Sequence, residues 1–184
     1  MEDKMGRRPP IRILAGLLIA VAACQRGPYH AVEANGFISE IPRDWVYSPG
    51  GGSLLWVGST EQVREVNASI ALLQGRARDR DELLRWHAGL RRSYRDDPNF
   101  ARFPASETTV AGVRATVISM TSTRHAEHRH RTTPLPSPVK LRETEVFFTL
   151  DGKGYEASFA APIEIYDKYY PAFDHFLETL KVSP

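Results

Sequence analysis

The sequence predicts an α+β fold: a mostly antiparallel sheet flanked by helices, with one helix inserted midway and one at the C-terminus. Three observations carry this. Val66, Ala68, Ile70 and Leu72 alternate with Asn67, Ser69, Ala71 and Leu73, the period of two expected for a strand. The period turns helical over residues 81–95, where Leu83, Trp86, His87, Leu90 and Tyr94 fall on one stripe. Ala111-Gly112 and Asp151-Gly152-Lys153-Gly154 sit where tight turns would join antiparallel neighbours.

Taken in order, Phe37-Ile38-Ser39-Glu40-Ile41-Pro42 reads as a strand ended by its proline, with Asp44-Trp45 in the turn beyond. Gly50-Gly51-Gly52 reads as a loop, and Ser53–Val57 as the next strand. Asp79, three residues before Glu82, is a candidate N-cap for the helix, and Asp97-Pro98 closes it. Strands follow at Ser106–Val110 and Val113–Met120. A polar stretch, Thr121–Pro138, precedes Glu143–Leu150 and Tyr155–Ala160. The last helix holds Tyr166, Tyr169, Tyr170, Phe173, Phe176, Leu177 and Leu180. Pro171 lacks an amide donor, so the regular helix is expected to start near it.

Composition bounds the function. With 184 residues, 42% hydrophobic and 25% charged, the chain has the make-up of one globular domain. Its 24 basic and 22 acidic residues leave a surplus of two, and residues 1–23 hold all of it, so the body is formally neutral. A general basic field for nucleic acid is excluded.

The front end carries the address. A cationic start with Lys4, Arg7, Arg8 and Arg12 leads into the apolar run Ile13–Ala23, which is too short for a permanent membrane helix and has the form of a signal peptide. Val21-Ala22-Ala23-Cys24 resembles a bacterial lipobox. That resemblance implies a diacylglycerol on the Cys24 sulfur, cleavage before it and an acylated new amino terminus, with chains of the palmitate kind holding the protein to a membrane. Gln25 in place of Asp favours the outer membrane, facing the periplasm, in a Gram-negative cell. The expected organisation is a signal peptide at 1–23, the lipidated Cys24 and a tether at 24–35, and one domain at 36–184 with a flexible loop at 122–138. Cys24 is the only cysteine, so the mature domain has no disulfide and no cysteine nucleophile.

The order of elements resembles the PsbP-like fold, shared with DcrB-type bacterial lipoproteins. The residues that carry it are Gly36–Trp45, Val110–Ala115, Gly154–Pro162 and Phe176–Val182. The resemblance covers about residues 36–182 and implies an α/β/α sandwich that binds other proteins or accompanies assemblies, with no cofactor and no common catalytic motif.

Few residues suggest chemistry. His125, Glu127, His128 and His130 supply imidazole and carboxylate ligands of the kind Zn²⁺, Cu²⁺ or Ni²⁺ accept, although Arg124, Arg129 and Arg131 oppose a cation and the spacing matches no standard site. The glycine run lacks the lysine of a P-loop, and no Gly-x-Ser-x-Gly elbow is present. His175 with Asp174 and Glu178 reads as the outer face of the last helix. Tyr166, Tyr169 and Tyr170 are candidates for an exposed rim that a partner could use. The expectation is a non-catalytic, membrane-anchored envelope lipoprotein that binds a protein partner. The alternative is a metal or small-ligand module built on the loop at 125–130.

Overall fold

A computed structural model describes residues 27–47, 54–75, 79–90, 97–124 and 138–183. In chain order the elements are β1 (Tyr29–Ala34), β2 (Phe37–Pro42), β3 (Val46–Tyr47), β4 (Leu55–Val63), β5 (Val66–Gln74), α1 (Arg80–Leu90), β6 (Ala101–Arg102), β7 (Ser106–Val110), β8 (Val113–Arg124), β9 (Val139–Leu150), β10 (Lys153–Pro162), α2 (Ile163–Thr179) and β11 (Lys181–Val182). The strands form an eight-stranded sheet, ordered β3-β4-β5-β10-β9-β8-β6 with β7 also on β8, and a small sheet ordered β1-β2-β11. Every described strand pair is antiparallel. The fold is therefore the α+β one expected.

Hairpins dominate because their turns are cheap. In Asn35-Gly36, Ala111-Gly112 and Asp151-Gly152 both central residues have positive φ, as the twist of a two-residue hairpin demands, and glycine takes the second position at no steric cost. Arg64-Glu65 makes a fourth such turn without glycine, and the Arg64 guanidinium donates to the Pro138 carbonyl at 3.1 Å.

The alternation of side chains then builds the core. Val57, Ile70, Leu72, Val146, Phe148, Ala157 and Phe159 point to one face of the large sheet, where α2 and the small sheet lie side by side. The Phe159 ring meets Tyr166 at 5.1 Å, Phe173 at 5.7 Å and Tyr170 at 5.9 Å. Ser39 Oγ donates to the Phe176 carbonyl at 2.7 Å, and Glu40 N donates to Thr179 Oγ1 at 3.0 Å, fixing the end of α2 to β2. On the opposite face Leu84 of α1 and Phe100 cover Ile118, Met120 and Phe147. Glu82 N donates to Asp79 Oδ1 at 2.8 Å, so the expected cap is present.

Several boundaries differ from the expectations. Residues 29–34, read as tether, form β1 and pair with β2 throughout. Asn35-Gly36 was the signal for this hairpin. Ser122, Thr123 and Arg124, read as the start of a loop at 122–138, continue β8 opposite Leu141, Lys140 and Val139. The strand expected at Ser53–Val57 runs on to Val63 through an irregularity between Gly58 and Gln62. There Asn67 Nδ2 donates to the Ser59 carbonyl at 3.0 Å and Ser59 Oγ to the Glu61 carbonyl at 3.0 Å. The last helix begins at Ile163 rather than near Pro171. Its first two turns bury Ile165 and Tyr166, while Pro171 stands on the exposed side. That burial offsets the roughly 3 kcal/mol that an interior proline costs. Residues 91–96 and the side chains of Leu83, Trp86, His87 and Leu90 lie outside the described residues.

The long outer edge of β8 is occupied along most of its length. β7 pairs residues 113–117, β6 pairs 120–121, and Phe103 N donates to the Ser119 carbonyl at 2.9 Å. Beyond them Thr123 N donates to the Asp97 carboxylate, and Asn99 Nδ2 donates to Thr123 Oγ1 at 2.7 Å.

Phe159→Ala is expected to lower the unfolding free energy by about 3–5 kcal/mol, because the ring is fully buried and touches three others. Urea unfolding of the purified domain checks this.

Candidate functional site

Of the residues the sequence singled out, Tyr166, Tyr169 and Tyr170 are described, and the structure divides them. Tyr166 is only 2% exposed, so it is no part of a surface rim. Its hydroxyl lies 2.7 Å from Thr144 Oγ1, which in turn lies 2.7 Å from Ser119 Oγ, a chain of three hydroxyls between α2, β9 and β8. The Arg142 guanidinium rests over the Tyr166 ring at 4.4 Å, reaches Phe103 at 5.6 Å and pairs with Asp167 at 3.5 Å. Burial pushes the Tyr166 hydroxyl above the ordinary tyrosine value, and the Thr144 bond and the Arg142 charge offset part of that. Tyr170 stacks on Tyr166 at 5.3 Å. Burial, then the charge of Asp174, pushes its hydroxyl up to about 12. Asp174 is itself raised, chiefly by its own burial.

Tyr169 faces another way. Its hydroxyl donates to Glu61 Oε2 at 2.6 Å, beside an ion pair between Lys168 and the same oxygen, and its ring meets Trp45 at 5.8 Å. Hydrogen bonds from Lys168 and then Tyr169 hold the Glu61 carboxyl below the ordinary range. The irregularity in β4 places Glu61 at this site, since it is anchored by Ser59 and Asn67.

His175 belongs to a third cluster. Its Nε2 lies 2.8 Å from Glu40 Oε2, and Tyr29 stacks on the ring at 3.9 Å, tying β1, β2 and α2 together. Asp174 and Glu178, read as outer-face residues, stand on the exposed side of α2. Among the described residues no serine or threonine hydroxyl bonds to the imidazole, and no group of three or more His, Cys, Asp or Glu is placed to hold a metal ion. Cys24 and the set His125, Glu127, His128 and His130 lie outside the described residues.

Sequence reasoning missed Arg142, Phe103 and Glu61 as site residues, and it assigned His175 no partner. Each is far from its partners in sequence, and only the assembled sheet and helix bring them together. What the arrangement offers is recognition chemistry: a cation on aromatic rings, half-buried tyrosine hydroxyls and buffered carboxylates.

No protein-family model and no curated protein sequence matches the chain. Its fold is similar to that of LpqN of Mycobacterium tuberculosis, described as involved in cell envelope biogenesis, with a TM-score of 0.56 and 13% identity over 85% of this chain and 91% of that one. It is similar to the PsbP protein of the cyanobacterium Synechocystis, with a TM-score of 0.56 and 12% identity over 91% and 99%. The Ran-binding protein Mog1p of Saccharomyces cerevisiae follows at 0.53 and 8% over 84% and 95%. At these identities the likeness is one of fold, and the fold is the PsbP-like one.

Stability is expected to hold below about pH 10 and to fall between about pH 10 and about pH 12. Over that interval unfolded tyrosines release their protons while Tyr170 in the fold retains its own, so deprotonation favours the unfolded chain. Urea midpoints across that interval should fall less steeply in Tyr170→Phe than in the parent.

Proposed function

We propose that this protein is a non-catalytic cell-envelope lipoprotein, held to a membrane by acyl chains on Cys24, whose PsbP-like domain binds another envelope protein. The observation that carries the reading is the junction Val21-Ala22-Ala23-Cys24, a lipobox-like stop to an apolar run, followed by β1 beginning at Tyr29. A signal and a lipid-bearing cysteine set directly before a folded domain are the arrangement of a tethered periplasmic module. The fold likeness to LpqN, an envelope-biogenesis protein, and to Mog1p, a protein that binds another protein, supports the partner-binding side. The polar clusters of the domain support it too, being built for contact rather than for bond making.

Fractionation tests the anchor. The parent chain is expected to pellet with membranes and to incorporate labelled palmitate, whereas Cys24→Ser loses the label and the mature domain moves to the soluble fraction. Absence of the palmitate label from the parent chain would refute lipidation at Cys24.

A further inference from the structure

The backbone enters the domain at one corner, and two large apolar side chains lie open beside that entry. Arg43 Nε donates to the Gly27 carbonyl at 2.7 Å, and the Arg43 amide donates to the Pro28 carbonyl at 3.0 Å. Together with the pairing of Tyr29 and Pro42, these bonds fix the path of the chain from Gly27 onward. Beyond Arg43 the backbone turns, with Trp45 N donating to the Pro42 carbonyl at 3.2 Å. The buried Trp45 ring meets Tyr169 at 5.8 Å, which ties the turn to α2. Val46 and Tyr47 follow as β3, at one edge of the large sheet, and are 59% and 47% exposed. Among the described residues Phe103, Ile163 and Val182 are also exposed, but only Val46 and Tyr47 are neighbours in the chain. Single exposed apolar residues are ordinary, whereas a firmly held pair beside the chain entry asks for an occupant.

The length of chain before that corner decides what the pair meets. Gly27 follows Cys24 by three residues, a reach of about 11 Å at full extension. A domain of this size has a radius of gyration of about 15 Å. With lipid on its sulfur, Cys24 sits in the polar headgroup layer, which is about 5–7 Å thick on each side of a bilayer. At full stretch Gly27 then stands only about 5 Å clear of that layer, so the domain cannot swing free of the lipid. Val46 is three residues past Arg43 and so within about 11 Å of it.

We propose that the corner from Arg43 to Tyr47 rests on the lipid headgroups and sets the orientation of the domain on its membrane. The inference rests on lipidation of Cys24 as proposed above. The residue types suit an interface. Tyr47 offers an apolar ring with a polar tip, Val46 adds aliphatic surface, and the exposed Arg43 guanidinium has terminal nitrogens for a lipid phosphate. Asp44, exposed beside it, cancels the Arg43 charge, so the contact needs no anionic lipid. With β3 against the lipid, the other edge of the large sheet points away. β6 stands six strand spacings from β3, about 29 Å along the sheet.

Quenching by labelled lipid tests this on the lipidated full chain. Cys24 is the only cysteine and lipid occupies its sulfur, so an introduced thiol alone takes a bimane label. The label is placed at Asp44→Cys or at Arg102→Cys on β6, both exposed positions. Each chain is checked for palmitate and reconstituted into phosphatidylcholine vesicles, some of whose lipids carry a nitroxide on the headgroup. Quenching is expected to be about fivefold stronger at 44 than at 102, and to fall about threefold at 44 when Val46→Ser and Tyr47→Ser are combined. Both replaced side chains are exposed, and the comparison of 44 with 102 is made without replacing them. Equal quenching at the two positions gives the corner to solvent or to a protein partner and overturns the proposal. So does quenching at 44 that the double replacement leaves untouched. In either case the palmitate on the chain keeps the anchor standing. Absence of palmitate refutes the anchor, and the proposal with it.

Discussion

The domain depends on the contact between α2 and β10. β10 occupies the middle of the large sheet, and Phe159 on it meets three rings of the helix that follows directly in sequence. A hairpin sheet of this size does not close on itself, and a fully buried aromatic contributes up to about 3 kcal/mol by transfer alone. Once Phe159, Phe173 and Phe176 are packed, the direction of α2 is set, and with it the place where its C-terminal end meets β2 through Ser39, Glu40 and Thr179. The small sheet is held from the large sheet as well, since Phe37 of β2 meets the Tyr155 ring of β10 at 5.0 Å. The same packing lets Pro171 stay in the helix, because the proline is turned away from the rings.

The polar clusters are by-products of where that helix runs. Tyr166 sits at the level of Thr144 and Arg142 because the helix crosses β9 there, and Tyr169 reaches Glu61 because the next turn faces β4. Each cluster joins elements far apart in the chain: β9 with α2, β4 with α2, and β1 and β2 with α2. In this way they add to the cohesion of the domain. The crevice between β1, β2 and β5, lined by Val32, Phe37, Leu72 and Leu180, is apolar and has room for about one water molecule.

Much of the fold was legible because strand periodicity and turn chemistry are local. β2, β5, β7 and the turns at Ala111-Gly112 and Asp151-Gly152 follow from neighbours in sequence, as does the Asp79 cap. The first hairpin was overlooked although Asn35-Gly36 announced it, since Tyr29–Ala34 is only half apolar and follows a polar stretch. The start of α2 was misjudged because a local rule about proline was set against a burial term visible only once the sheet is assembled. The clusters were scarcely legible at all. Nothing in the spacing of Glu61 and Tyr169, 108 positions apart, or of Glu40 and His175, 135 apart, joins them before the strands are in register.

The closed outer edge of β8 has a consequence for life in a crowded place. A twelve-residue strand with a bare edge is a template on which the next molecule could lay its own backbone, and sheets extended in that way end as fibres. Here two short strands, a proline-broken corner at Phe103-Pro104 and the side chains of Asp97 and Asn99 use up those backbone groups within the molecule. A neighbouring copy meets there the short strands β6 and β7 instead of a twelve-residue template.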